Sequence, residues 1–280
     1  MLTPSRLSSL SSSADAVLNR SEVPGPWPER IPTTTAPFDT AFVQDTLRHM
    51  SQQSATCIDG WSSKLLQQAI ECNATIAGDI GTIMAWMTDG QFGPLVMNIL
   101  RLGRAVAIPK QDGSDGVRPI TVSSFFSKLI GSLILRRTKP HCSAHQYAVN
   151  IQRGAERIVH LARSAFDDGM GIIRIDIANA FNCAQRSLID RLLRGSHPDI
   201  LQYFHMMYGP SAQLAVYGPQ QIQFIQFEEG VRQGDAFSAY FFCLLMDQVL
   251  VEVKRACPAV QLWAYIFFFF SSVANKWHSA

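Results

Sequence analysis

A short apolar run in the second half of the chain carries a single acid. It reads Ile172-Ile173-Arg174-Ile175-Asp176-Ile177, and its β-branched residues favour a strand. Burying a carboxylate in such surroundings is costly unless a partner offsets the charge. A bound cation is one such partner, while an arginine or simple exposure at the strand end are the alternatives. Asp176 is therefore a candidate metal ligand whose role the strand alone leaves open.

Two motifs stand roughly fifty residues apart. The first is Asp176-Ile177-Ala178-Asn179-Ala180-Phe181-Asn182, and the second is Glu229-Gly230-Val231-Arg232-Gln233-Gly234-Asp235-Ala236-Phe237-Ser238. The first resembles the first palm motif of reverse transcriptases, in which an Asp is followed four and five positions later by Ala and an aromatic residue. The second resembles their second palm motif, Arg-Gln-Gly-Asp followed by Pro-Leu-Ser, although Ala236 and Phe237 replace the usual Pro and Leu.

Three upstream segments extend this resemblance over roughly residues 55–266, in the order that the family has them. Ala107–Lys110 with Gly116–Ile120 is similar to the finger hairpin. Asp59-Gly60-Trp61 with Lys64-Leu65-Leu66 is similar to a segment before the fingers of non-LTR elements. Gln146-Tyr147 with Gly154 and Glu156 is similar to the stretch between fingers and palm. The chain therefore resembles the reverse-transcriptase domain of a non-LTR retrotransposon, in the style of site-specific elements with a restriction-like endonuclease.

The resemblance implies RNA-directed DNA polymerase activity, an in-line phosphoryl transfer helped by two divalent ions, expected to be Mg²⁺. Asp176 and the backbone carbonyl of Ile177 would be metal ligands. Lys110 and Arg118, on one hairpin, would hold triphosphate oxygens, the arginine in a forked manner. Surface solubility is the alternative reading of these two cations. The implied partners are an RNA template, a DNA primer or target and deoxynucleoside triphosphates, with no membrane.

Three further residues take a nucleotide-binding role from the resemblance. Phe181 stands where the family places a bulky side chain under the sugar, where it would clash with a ribose 2′-hydroxyl and favour DNA synthesis; a core aromatic is the alternative. Gln233 and Gly234 would lie against template or nucleotide, since glycine permits close backbone approach. The alternative for this segment is a glycine turn followed by a helix cap from Asp235.

The third palm motif of these enzymes resembles Ala-Tyr-x-Asp-Asp, and here it is interrupted. Leu262-Trp263-Ala264-Tyr265-Ile266 matches the lead-in, but Phe267 and Phe268 occupy the positions of the two acids. Phenylalanine cannot bind a metal, and the residues after Phe270 resemble nothing in the family. Because four adjacent Phe codons are T-rich, a frameshift in a decayed element or in the gene model is the simplest cause. We therefore expect a truncated, pseudogene-like and catalytically defective polymerase.

Other functions remain open at this stage. An RNA-dependent RNA polymerase and a group II intron maturase are related enzymes; Phe181 weighs against the first, and a maturase is expected to carry a further splicing domain. A non-catalytic nucleic-acid-binding remnant would use the basic fingers alone. A product that never folds is the last alternative, and a native buried strand in a different protein is the alternative for Phe267–Phe270.

The mixture of separated helices and hairpins predicts an α+β fold. The resemblance implies that this fold is a right-hand polymerase with fingers and an incomplete palm. The domain prediction is a Ser/Pro-rich disordered tail over 1–37, helix-rich fingers over 38–170 with a basic hairpin at 104–122, a partial palm over 171–266 and an aberrant tail over 267–280. Helical periodicity and turn signals predict helices near 39–50, 61–70, 80–87, 94–100, 125–137, 155–166, 187–193, 198–208 and 236–253, and a hairpin from strands 213–217 and 222–227.

Charge is unevenly distributed along the 280 residues. Residues 101–174 hold 12 Lys/Arg against 5 Asp/Glu, whereas the formal net charge of the whole chain is only +2. A basic middle segment suggests a surface that meets an anion, or else a solvated basic face. The 6 cysteines form no C-x-x-C pair, as in a reduced intracellular protein. No secretory signal or membrane-spanning segment is expected, and the parent element would act in the nucleus.

Overall fold

The structure is a computed structural model and describes residues 35–52, 55–109, 117–177, 179–195, 197–209, 212–218, 220–266 and 268–273. Within the strands it does not describe the side chains of Arg118, Pro119, Asp176 and residues 268–273. Two of the predicted site residues, Lys110 and Phe267, lie outside the described residues, as does the predicted tail up to residue 34.

Helices and strands alternate without a regular repeat, as the sequence predicts. The described helices are α1 (Thr40–His49), α2 (Ser63–Cys72), α3 (Thr75–Thr88), α4 (Pro94–Arg101), α5 (Phe125–Thr138), α6 (Gly154–Asp167), α7 (Arg186–Leu193), α8 (Pro198–Tyr208) and α9 (Ser238–Ala256). The strands are β1 (Gly103–Pro109), β2 (Val117–Ser123), β3 (Gly171–Asp176), β4 (Ala212–Tyr217), β5 (Ile222–Phe227), β6 (Gln261–Tyr265) and β7 (Phe268–Val273). None of the helices in the described residues combines the length and the apolarity that a membrane span requires.

Two separate sheets organise the strands. One has the order β2-β1-β4-β5 and joins two antiparallel hairpins through a parallel pairing of Gly103 with Leu214. The other has the order β3-β7-β6, with both pairings antiparallel. The two hairpins of the larger sheet were predicted from alternation and turn residues, but their parallel contact was not. Its partners stand more than a hundred residues apart, so no local pattern indicates it.

The main core lies between the helices and reaches both sheets. Helix α5 contributes Leu129, Ile130, Leu133 and Ile134, all fully buried on one stripe. Each such side chain stabilises the fold by about 1.5–3 kcal/mol relative to an exposed position. Aromatic rings of α8 and α9 interlock beside this stripe, with 5.0 Å between the ring centroids of Phe204 and Phe241 in an edge-on arrangement.

Strand β6 has apolar neighbours on both faces. Leu262 and Ala264 point into the main core, whereas Trp263 packs with Ile158 and Ala165 of α6 in a second, smaller cluster. Alternate residues of a strand point to opposite faces, so this one short strand is held from two sides. The third-motif lead-in is therefore a firmly packed element of the fold.

The segment Asp59-Gly60-Trp61 caps a distant helix. The Asp59 carboxylate accepts hydrogen bonds from the Ser124 hydroxyl at 2.8 Å and from the Phe125 backbone N–H at 3.0 Å, at the start of α5. An anion at a helix N-terminus satisfies free N–H groups and interacts favourably with the helix dipole. The Trp61 ring contacts the Phe126 ring, with 5.4 Å between centroids. This segment therefore fixes the start of the helix that follows the basic hairpin.

The packed part of the chain begins earlier than the sequence predicted. Thr35 is buried, and its backbone N–H and hydroxyl donate to the Asp89 carboxylate at 3.0 and 2.6 Å. The expected tail over 1–37 is therefore wrong at its end. The Pro/Thr-rich composition there suggested a tail, but one buried polar contact is enough to hold the backbone in place.

Candidate active site

The third-motif lead-in ends in a tight hairpin. Strands β6 and β7 are joined by a two-residue turn, because Tyr265 and Phe268 are paired across it. Ile266 has a backbone φ of 55°. Two-residue hairpin turns commonly need a positive φ, but a β-branched residue rarely adopts it. The surrounding contacts therefore hold Ile266 in a conformation that its own side chain disfavours.

Asp176 lies in register with this hairpin. It pairs with Phe268 of β7, and Phe268 pairs in turn with Tyr265 of β6. The three backbone positions form one row across the sheet, with neighbouring Cα atoms about 4.5–5.5 Å apart. Position 268, where the resemblance expects the second acid, is thus directly beside Asp176.

Asp176 and Tyr265 belong to the same sheet, but their strands are not adjacent, because β7 lies between them. The family resemblance predicts that the palm ends at Ile266, because the following residues match no family motif. Residues 268–273 nevertheless pair on both sides and occupy the centre of the sheet, and their phenylalanines and Val273 favour a strand.

The first and second motifs are joined through their backbones. After β3 the chain passes Ile177 and forms a 3₁₀ turn at Ala180–Cys183, which contains Phe181. The Phe181 carbonyl accepts a hydrogen bond from the Val231 N–H at 2.8 Å. Its ring is half-buried and meets the ring of Phe242 edge-on, with 5.8 Å between centroids. Phe181 is thus anchored at the edge of the core; its contact with a sugar remains a prediction.

The second motif also contacts the basic hairpin. The Gln233 carbonyl accepts a hydrogen bond from the Thr121 N–H in β2 at 3.2 Å. Gly234 has a φ of +113°, and a Cβ there would lie 2.8 Å from the Thr121 carbonyl oxygen. Only glycine fits this combination of left-handed backbone and close approach. Gln233 and Gly234 are therefore held against the strand that also carries Arg118.

Arg118 itself pairs with Ile108 across the hairpin, as predicted for a strand of the basic fingers. The hairpin is confirmed as a pair of antiparallel strands. The role of Lys110 and Arg118 in holding triphosphate oxygens stays a prediction, because these side chains are not among the described ones.

Asp235 closes the turn that opens α9. Its carboxylate accepts from the hydroxyls of Tyr203 at 3.0 Å and Tyr208 at 2.9 Å, and from the Phe237 N–H at 2.8 Å. Burial raises the pKa of Asp235, and burial likewise raises the pKa of both tyrosines. Asp235 therefore fixes the turn before α9, but it does not cap the helix, because the N-cap residue is Phe237 and no side chain makes a cap hydrogen bond there.

Two buried arginines beside this turn were missed by sequence reasoning. The Arg186 guanidinium donates to the Gly230 carbonyl at 2.8 Å and to those of Tyr208, Phe227 and Glu229 at 3.3 Å each. Burial lowers the pKa of Arg186 to about 10. The other arginine is Arg232 of the second motif. It is fully buried, and its guanidinium donates to the backbone carbonyl of Arg101 at the end of α4. A cation in the first turn of α7 opposes the helix dipole, which was the one available signal.

Comparison with known proteins decides what this arrangement is. Residues 108–269, more than half of the chain, match the family described as reverse transcriptase (RNA-dependent DNA polymerase). The chain belongs to the reverse transcriptase family. The matched residues include both motifs, the basic hairpin from Ile108 onward and the third-motif hairpin.

Among curated proteins, this reverse transcriptase is 24% identical over 233 residues to the retrovirus-related Pol polyprotein from type-1 retrotransposable element R2 of Nasonia vitripennis. The alignment covers 73% of this chain, which spans 23% of the length of that relative. The prediction of a reverse-transcriptase domain of non-LTR type is confirmed. Among solved structures, apo telomerase from Candida tropicalis is similar with a TM-score of 0.44 and 13% identity, covering 66% of this chain and 40% of that one. Telomerase from Candida albicans with a fragment of telomeric RNA is similar with a TM-score of 0.45 and 11% identity, again covering 66% of this chain and 40% of that one.

Reverse transcriptases generally use divalent metal ions, and the residues of this chain do not fit such a pair. Within the described part of the chain, no group of three or more His, Cys, Asp or Glu side chains could hold a metal. Of the metal-binding acids that the resemblance expects, the chain retains Asp176, and Phe268, one of the two third-motif positions without an acid, pairs with it across the sheet. A benzyl side chain has no atom that binds a hard cation.

Proposed function

We propose that this chain is a non-LTR retrotransposon reverse-transcriptase domain that binds nucleic acid but does not polymerise. The observation that carries the proposal is the pairing of Asp176 with Phe268 across β3 and β7. A carboxylate beside Asp176 is what two-metal phosphoryl transfer needs, since both ions must be held in register against the attacking and leaving oxygens. One remaining carboxylate binds Mg²⁺ weakly, because that ion keeps its waters unless several oxygens replace them.

Binding of nucleic acid is supported by an open cleft of about 370 Å³ beside the second motif. It is lined by His49 of α1, by Lys128 and Arg136 of α5, and by the exposed Gly234. Burial lowers the pKa of Lys128, which marks an amine with reduced hydration. A partly desolvated cation next to a bare glycine backbone suits a phosphate strand. An RNA template and a DNA primer are the partners that the family implies.

Two assays on one preparation test this function. Filter binding of a primed RNA template at two salt concentrations should give retention that weakens as salt rises. Primer extension with the same template, all four deoxynucleotides and Mg²⁺ should leave the primer at its original length. Failure to bind at low salt would rule out the nucleic-acid-binding function, whereas extension would rule out the loss of catalysis.

A further inference from the structure

The turn of the second motif forms part of the wall of the open cleft. Gly234 and Ala236 line this cleft together with Lys128, and Gly234 is exposed. On one side the turn is held by β2, through the hydrogen bond from the Thr121 N–H to the Gln233 carbonyl. The place of the glycine backbone in the wall therefore depends on how the two ends of the turn are fixed.

One hydroxyl group joins these two ends. The Tyr208 hydroxyl, at the end of α8, accepts a hydrogen bond from the Arg232 N–H at 3.2 Å and donates one to the Asp235 carboxylate at 2.9 Å. Arg232 and Asp235 directly precede and follow the pair Gln233-Gly234. Because Tyr208 is fully buried, a single oxygen atom inside the protein holds the backbone on both sides of the exposed glycine.

The first end of the turn is held by further contacts. The Arg232 carbonyl accepts hydrogen bonds from the Ser238 hydroxyl at 2.5 Å and from the Asp235 N–H at 3.2 Å. The Arg232 guanidinium donates to the Arg101 carbonyl at the end of α4. Arg232 is thus fixed through its N–H, its carbonyl and its side chain, so the hydroxyl of Tyr208 ties Asp235 to an anchored point.

Tyr203 provides a comparison within the same helix. It lies five residues before Tyr208 on α8, and both tyrosines are almost completely buried. The Tyr203 hydroxyl donates to the same carboxylate oxygen of Asp235 at 3.0 Å, whereas the hydrogen bond from the Arg232 N–H goes to Tyr208. The two tyrosines therefore share burial and acceptor, and Tyr208 is the one that joins both ends of the turn.

We propose that Tyr208 is a positioning residue for nucleic-acid binding. By joining Arg232 to Asp235, it holds the Gly234 backbone at the place where a nucleic-acid strand lies against it. Hydrogen-bond networks in the protein interior rigidify the backbone that they join, and the exposed part of this backbone is the wall of the cleft. A strand fits between a cation and a bare backbone only if that backbone is held in one position. The inference rests on the proposed function, because it assumes that the cleft binds nucleic acid.

Tyr208→Phe tests the inference, with Tyr203→Phe as the matched control. Each change removes one phenol donor to Asp235, but Tyr208→Phe also removes the acceptor of the Arg232 N–H. The probe is the primed RNA template, retained on filters at low salt. Tyr208→Phe should weaken binding by about fivefold, the factor that the net loss of one hydrogen bond gives, whereas Tyr203→Phe should change it by less than about twofold.

Urea unfolding of both variants separates positioning from stability. Both should unfold more easily than the unchanged chain, because both lose a buried hydrogen bond. Binding is therefore measured under conditions in which circular dichroism shows each variant to be fully folded. Binding by Tyr208→Phe that equals that of the unchanged chain, or a loss in Tyr203→Phe that is as large as the loss in Tyr208→Phe, would overturn the inference.

A second variant keeps the inference testable if Tyr208→Phe does not fold. Ser238→Ala removes the hydroxyl that holds the Arg232 carbonyl, and it should weaken binding by about two- to fivefold. The matched control is Ser127→Ala, which removes a buried hydroxyl that donates to the Ser124 carbonyl at 2.9 Å near the start of α5. Equal binding by the two serine variants would show that fixing Arg232 does not set the cleft, and would overturn the inference.

Failure of the inference is distinguishable from failure of the proposed function. If the unchanged chain does not retain the template at low salt, the binding function is wrong and the inference falls with it. If the unchanged chain binds the template and Tyr208→Phe binds it equally well, the function stands and the positioning role fails.

Discussion

Asp176 and Phe268 are direct cross-strand partners in the small sheet, and Tyr265 continues the same row on the next strand. The backbone that should bring the acids of the first and third motifs together is therefore assembled, although one of its three positions carries the wrong side chain. A packed scaffold with an altered site is the expected outcome when the changed residues keep strand propensity. Loss of chemistry and retention of fold are thus compatible in this chain.

Gly234→Ala should destabilise the protein by about 1–3 kcal/mol, because its φ of +113° excludes other residues and its Cβ would meet the Thr121 carbonyl. Urea unfolding measures the change. Gly195→Ala is the control, since nothing lies within 4 Å of a Cβ at Gly195. Equal effects of the two changes would show that the second motif does not lie against β2.

Arg186→Met should cost about 2–3 kcal/mol of unfolding free energy, because it leaves carbonyl groups without a donor in a buried site. Chemical denaturation gives the value. Arg255→Met, which breaks only an exposed pair with Glu252, should change stability by less than about 0.5 kcal/mol. If Arg186→Met lowers the free energy of unfolding no more than Arg255→Met does, water must replace the guanidinium as the donor to these carbonyl groups.

Asp235 should make the protein less stable as pH rises from acid toward neutral. Burial raises the folded-state pKa of this acid, so the folded protein binds the proton more tightly than the unfolded chain does. Its contribution is therefore fully present below the unfolded pKa and is lost as pH climbs through the folded one. Relative to the unchanged protein, Asp235→Asn should gain stability between about pH 4 and pH 7.

Urea unfolding at both pH values tests this sign, and Asp79→Asn at an exposed position controls for changes in the unfolded chain. A relative loss of stability for Asp235→Asn on going to pH 7 would contradict the assignment.

The sequence predicted the elements that depend on local signals, but it did not predict contacts between residues that are distant along the chain. Helix α8 was predicted at its observed bounds, because Pro198 and continuous apolar periodicity are local signals. The parallel contact of β1 with β4 was not predicted, since its partners are distant in sequence. Strand β7 was missed because family resemblance, rather than strand propensity, set the predicted end of the palm.

The candidate site divides in the same way. Asp176, Phe181 and Gly234 were found from motif spacing, and the structure brings the two motifs and the basic hairpin together through backbone hydrogen bonds. Arg186 was not assigned a role, because a polar residue is usually exposed and only the folded chain shows that this one is buried. Burial of polar groups depends on what packs around them, which one sequence does not state.

Replacing Lys110 and Arg118 together by alanine should weaken nucleic-acid binding and reduce its salt dependence. Each lost phosphate contact lowers the slope of log affinity against log salt by about 0.7–0.9. Filter binding over a salt series measures the slope, with Arg255→Ala as the control for the effect of losing one positive charge at an exposed site away from the hairpin. An unchanged slope would place the binding surface away from this hairpin.

Primer extension by the 280-residue protein tests the central claim most directly. The reaction would contain a primed RNA template, deoxynucleotides and Mg²⁺, with an active reverse transcriptase as the positive control and the Asp176→Asn variant beside the unchanged chain. We predict no template-dependent product from either form, because a single carboxylate cannot hold two ions in register. Extension by the unchanged chain that Asp176→Asn abolishes would contradict the account.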